Sequence, residues 1–117
     1  MFCTYVGGTL NETCESMFAY SQAGSDRFAI SGTTLSQNFP TTADRYQPFA
    51  SGGSDAFVAI LNNTGSALSY GSYFGAAGNQ EQVRVWVQPN GNVFLAGRTT
   101  GVLPVTGHEG YAKAEVT

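Results

Sequence analysis

Apolar residues in this chain recur at every second position, not at every third or fourth. Val83, Val85 and Val87 alternate with Arg84, Trp86 and Gln88, and the run stops at Pro89-Asn90-Gly91. Such alternation sends successive side chains to opposite faces of a strand, and Pro, Asn and Gly together signal a turn. Asn92-Val93-Phe94-Leu95-Ala96-Gly97 follows as the returning strand, so the two runs read as a hairpin. Residues 55–62 differ, because Ala56, Val58 and Ile60 alternate with Phe57, Ala59 and Leu61 and both faces are apolar. A strand of that kind needs cover on both sides, which a stack of sheets supplies. Asn62-Asn63-Thr64-Gly65 then turns the chain into a strand over 67–74, and two earlier strands are predicted over 16–22 and 27–33.

The phrases also recur along the chain. Phe28-Ala29-Ile30-Ser31-Gly32-Thr33-Thr34 matches Val93-Phe94-Leu95-Ala96-Gly97-Arg98-Thr99, and Phe39-Pro40-Thr41-Thr42 matches Leu103-Pro104-Val105-Thr106. Tyr5-Val6-Gly7 matches Tyr73-Phe74-Gly75, Ser21-Gln22 matches Val87-Gln88, and Asp55-Ala56-Phe57-Val58-Ala59 is echoed by Gly110-Tyr111-Ala112-Lys113-Ala114. The spacing is about 66 residues with small insertions, and a four-stranded unit of that length is the signature of a propeller blade. The predicted fold class is therefore all-β, with β-propeller blades as four-stranded antiparallel sheets and an incomplete propeller of about 1.8 blades. Residues 1–117 form one such fragment: 2–6 as the outer strand of a preceding blade, 16–74 as the first blade, and 83–117 as an incomplete second blade. Strands of the second blade are predicted over 83–88, 92–98 and 111–116.

Several of these phrases carry a resemblance to a known family. They are Gly52-Gly53-Ser54-Asp55-Ala56-Phe57-Val58-Ala59, Gly65-Ser66-Ala67-Leu68-Ser69-Tyr70-Gly71-Ser72-Tyr73-Phe74-Gly75, Pro89-Asn90-Gly91-Asn92-Val93-Phe94-Leu95-Ala96-Gly97 and Asn38-Phe39-Pro40-Thr41-Thr42. In that order they resemble the bacterial β-propeller repeat of SBBP type, the seven-bladed repeat. The first copy departs from the pattern at Ala23-Gly24-Ser25-Asp26-Arg27, which carries an extra residue, and at Cys14. The resemblance implies a secreted or cell-surface bacterial protein, extracellular in location, and it implies no shared catalytic residues.

Composition narrows the function classes. Glycine makes up 15 of 117 residues, while 42% hydrophobic and 13% aromatic content excludes simple disorder. A net charge of −3 with five Lys and Arg in all offers no basic patch, so no nucleic-acid partner is expected. No apolar run approaches about 18 residues, so no membrane span is expected. The segment Met1-Phe2-Cys3-Thr4-Tyr5 lacks the basic and apolar regions of a signal peptide. Cys3 and Cys14 are too few for a disulfide scaffold and are expected as free thiols.

Phe28, Phe57, Tyr73, Trp86 and Phe94 are predicted to form the structural core between blades, with an aromatic carbohydrate platform as the competing role. Gly65 and Gly91 are predicted to close turns. Because consecutive strands run antiparallel, the turns at 23–26, 62–66 and 89–91 share one face, and the connections 34–54, 75–82 and 99–110 share the other. The stretch 34–54 is long for a loop without strand pattern. Phe39, Tyr46 and Phe49 would plug the gap above the sheet, and Phe39, Asp44, Arg45, Tyr46 and Phe49 form the possible binding loop for a ligand or partner.

No catalytic set, cofactor-binding motif or metal cluster is legible. His108 and Glu109 sit between glycines without convergent partners, and Ser54-Asp55 has no histidine in register. Calcium on backbone carbonyls and Asp55 is an alternative to a simpler role for that carboxylate, capping nearby N–H groups. Asn11-Glu12-Thr13 and Asn62-Asn63-Thr64 match the glycosylation pattern, without meaning in a bacterial chain. The expected function is non-enzymatic: adhesion, scaffolding, or glycan or protein binding. The alternatives are part of a secreted polymer-degrading enzyme and a short chain that self-assembles into a ring. Partners are then the remaining blades of a longer chain or further copies, and three or four copies would supply about 5 to 7 blades.

Overall fold

A computed structural model of the chain describes residues 2–75 and 77–101. The chain is all-β, an incomplete blade-like fold, and there is no helix among the described residues. Four strands, β1 (Glu12–Gln22), β2 (Ser25–Thr34), β3 (Asp55–Leu61) and β4 (Leu68–Phe74), form an antiparallel sheet in sequence order. A second, two-stranded antiparallel sheet is made of β5 (Gln80–Val87) and β6 (Val93–Thr99). Residues 2–6, expected as an outer strand, belong to no strand here, and the strand expected over 111–116 lies outside the described residues. The candidates His108 and Glu109 lie outside them as well.

The turns are built where the backbone needs a positive φ. β1 passes to β2 through Ala23 (φ 52°) and Gly24 (φ 82°), the pair of left-handed residues that a two-residue hairpin requires. Gly65 (φ 71°) and Gly91 (φ 93°) occupy such positions in the next two hairpins. β1 starts earlier than its alternation predicts. The ladder shifts register between Cys14 and Ser16, and beyond that bulge Glu12, Thr13 and Cys14 pair with Thr34, Thr33 and Gly32. The second hairpin has an irregularity at the corresponding place, between Glu81 and Arg84, where Gln82 has φ 55°. Gly32 lies against the Thr13 carbonyl and Gly97 against that of Glu81, so each hairpin sets a glycine opposite its bulge.

The first sheet is covered on both faces, as the double apolar pattern of β3 requires. Ala29, Val58 and Ile60 pack against Val85 and Val87 of the second sheet, with Phe18, Tyr20, Tyr70, Val93 and Leu95 around them. On the opposite face Phe39, Phe57, Ala59 and Tyr73 form a second core with Val6, Ile30, Ala50 and Leu68. β5 lies over β1 and β2 and reaches β3, whereas the backbone of β6 stands clear of the first sheet, so the sheets splay apart outward. Polar ties fix the inner contact: Val83 N–H donates to Glu15 Oε2 (2.8 Å), Ser31 Oγ donates to the Val83 carbonyl (3.0 Å), and Arg84 Nη1 donates to the Glu15 carbonyl (2.6 Å).

Two of the aromatic residues expected in the core are placed otherwise. Trp86 and Phe94 are 49% and 48% exposed, because the valines of β5 take the inward positions and alternation turns Trp86 and its cross-strand partner Phe94 outward. Phe57 and Tyr73 are buried, and Phe28 is half-buried with its ring edge-on to Phe2 (5.8 Å). Cys3 and Cys14 are both free and exposed.

Candidate functional site: a cleft between the splayed sheets

The connection between β2 and β3 passes from one face of the first sheet round its outer edge. Phe39 enters the core at 3% exposure, its ring 4.4 Å from Phe57 and 6.1 Å from Tyr73. The Tyr73 hydroxyl holds this entry by accepting from Phe39 N–H and donating to the Ser36 carbonyl, both at 2.8 Å. The chain then runs beside β4: Thr42 N–H donates to the Gly71 carbonyl (3.0 Å), Tyr73 N–H to the Gln47 carbonyl (3.2 Å), and Gln47 N–H to Ser72 Oγ (3.0 Å). This run occupies hydrogen-bonding groups that an open edge strand would present to other chains.

The five residues of the possible binding loop therefore separate. Phe39 is interior and cannot meet a ligand, since its backbone and ring are both held by the core. Arg45 donates through Nη1 to the Thr42 carbonyl (3.2 Å). Phe49 is exposed beside Pro48 in a shallow depression that does not join the cleft described next. Asp44 and Tyr46 face the space between the sheets. Asp44 Oδ1 accepts from Thr42 Oγ1 (2.6 Å); Tyr46 packs on Phe74 (5.4 Å) and its N–H donates to the Tyr70 hydroxyl (3.1 Å).

That space is a cleft of about 730 Å³, open where β6 diverges from β3 and β4. Val58, Ile60, Val93 and Leu95 are apolar lining, while Tyr20, Arg27, Tyr70, Phe94 and Asn92 join Asp44 and Tyr46 with aromatic and polar groups. Burial raises the pKa of the Tyr20 phenol and the charge of Arg27 partly opposes that shift, leaving the hydroxyl a neutral donor. The lining offers aromatic faces, amides, a guanidinium and a carboxylate, groups that grip and orient a ligand. Tyr20, Arg27 and Asn92 escaped the sequence reading. Each is an unremarkable strand or turn residue until the second sheet folds over the first.

Two carboxylates away from the cleft are structural clasps. Glu12 accepts from Ser36 Oγ (2.5 Å), Gly8 N–H (3.0 Å) and Thr34 Oγ1 (3.0 Å). Burial acts to raise its pKa, but these three donors outweigh it and hold Glu12 below the usual range. Asp55 is fully buried; Oδ2 accepts from Ser51 N–H (2.6 Å). With the Gln80 amide oriented to suit its neighbours, its nitrogen donates to the Ser54 carbonyl (2.8 Å) and to Asp55 Oδ1 (3.3 Å). Burial raises the Asp55 pKa against the pull of the Ser51 hydrogen bonds. Among the described residues no three His, Cys, Asp or Glu side chains come together in a metal-binding group.

No protein-family model matches the chain, and no curated protein or solved structure matches it either.

Proposed function

We propose that this chain is a segment of a β-propeller, of the bacterial SBBP-type repeat, and serves binding or scaffolding at a bacterial surface without catalysis. The observation that carries the reading is the seating of the second hairpin on the four-stranded meander. β5 follows directly on the outermost strand of one sheet and lies over the innermost strands of that same sheet, which is how successive blades succeed one another around an axis. The bulges set opposite Gly32 and Gly97 support two copies of one unit, because each copy bends at the same point. The cleft supports the binding role, with a glycan or a peptide as ligand: aromatic rings next to planar polar groups suit either. A glycan array and a peptide display screen on the purified chain, run beside hydrolase and lyase assays, test the proposal. Saturable binding weakened by Tyr46→Ala and Arg27→Ala, without turnover, is expected. Turnover abolished by Asp44→Asn would overturn it.

A further inference from the structure

Two bare apolar faces lie at opposite ends of the stack. On β1, Phe18 and Tyr20 point to the second sheet and are partly covered, whereas Met17 and Ala19 point the other way and are exposed, Met17 to 68%. On the second hairpin the valines of β5 are buried, while Trp86 and Phe94, rings 5.4 Å apart, face outward. Exposed aromatic pairs of this kind mark association surfaces more often than inert ones.

The way the second hairpin already sits on the first sheet names the occupant. Glu15 and Glu81, Tyr20 and Trp86, and Gln22 and Gln88 stand at one common separation, about 66 residues. Glu15 lies at the β1 bulge and is the latch of the internal contact, accepting from Val83 N–H with its carboxylate and from Arg84 with its carbonyl. Glu81 lies at the β5 irregularity, half exposed, and reaches Arg98 at 3.7 Å. The face around Tyr20 is covered by a following sheet, and the matching face around Trp86 is bare. Conversely the buried inner face of β5 corresponds to the exposed Met17–Ala19 face of β1.

We propose that the Trp86–Phe94 face of one chain docks on the Met17–Ala19 face of a second copy, head to tail, with Glu81 placed as Glu15 is within the chain. The proposal rests on the blade reading above. The two faces differ, so the contact is heterologous and propagates from copy to copy instead of closing a pair.

The test uses the whole chain in sedimentation equilibrium, with emission from Trp86, its one tryptophan, as a local reporter. As concentration rises, mass should climb past the dimer and the emission should shift to shorter wavelength. Trp86→Ser and Met17→Glu should each weaken self-association about tenfold or more. Mixed together, each variant supplies the face the other lacks, and a one-to-one dimer with nothing larger should form. Phe94→Ser and Ala19→Arg repeat the design should either first variant fail to fold, as circular dichroism reports. A monomer with unshifted emission at every concentration, or variants that do not pair on mixing, would overturn the docking. Hydrogen exchange separates this from the reading beneath it. Protected β5–β6 amides in a non-associating chain sink only the docking, while freely exchanging β5–β6 amides sink the stacked-sheet reading.

Discussion

Gly32 carries the tightest steric demand of any residue in the first sheet. A Cβ at that position would fall on the Thr13 backbone carbonyl, which the β1–β2 ladder holds in place, whereas at Gly97 the nearest atom, the Glu81 carbonyl oxygen, is 3.1 Å away. Gly32→Ala should therefore cost about 2 kcal/mol or more, and Gly97→Ala clearly less, by urea denaturation. The two clasping carboxylates should respond to pH with opposite sign. The folded-state pKa of Glu12 is lowered, so its stabilisation is present above the ordinary glutamate range and disappears as pH falls through the folded value. Glu12→Gln should thus lower neutral-pH stability and make acid loss shallower. The Asp55 pKa is raised, so its carboxyl favours the fold below the ordinary range and loses that advantage as pH rises through the folded value. Asp55→Asn keeps an acceptor for Ser51 N–H and should raise neutral-pH stability, with the gain vanishing in acid. Urea midpoints across the acid range check both signs.

At the scale of elements, the long connection was legible as a feature but not in its course. Its length and its aromatic residues marked it for plugging or binding. The structure shows that Phe39 plugs the core, that the run from Thr42 to Gln47 lines the β4 edge, and that Asp44 and Tyr46 reach the cleft. No local pattern announces edge lining, because the hydrogen bonds involved are to residues some 25 positions away, such as Gln47 to Ser72. Tyr73→Phe should cost about 1–3 kcal/mol, since it leaves the buried Ser36 carbonyl and Phe39 N–H without their partner. The β5–β6 hairpin depends on the first sheet, because a two-stranded hairpin alone is marginal in water. Val85→Asp places a charge in the buried contact. It should bring the β5–β6 amides to rapid exchange while β2 and β3 remain protected, as hydrogen-exchange mass spectrometry would show.

For the whole molecule, the stack is a cover for one face and an invitation on the next. Each sheet buries one side against its neighbour, so any finite stack ends in bare faces, here around Met17 and around Trp86. Association through those residues is chiefly apolar. It should change little between low and high salt, in contrast to a contact built on ion pairs, and sedimentation at two ionic strengths measures the difference. The splay of the second sheet from the first opens the cleft at the outer strands, so the candidate binding surface and the docking faces follow from one geometry.

The order and direction of the strands, the turns at Gly65 and Gly91 and the double cover over β3 were determined by the sequence, because alternation and left-handed turn residues act over a few neighbouring positions. Which aromatic residues are interior was not. Trp86 and Phe57 look alike in an alternating pattern, and only the seating of β5 on β1 and β2 decides that the valines face in and Trp86 faces out. The cleft belongs to the tertiary structure entirely: Tyr20, Asp44 and Phe94 come from three distant segments, and no short-range rule joins them until the sheets have packed.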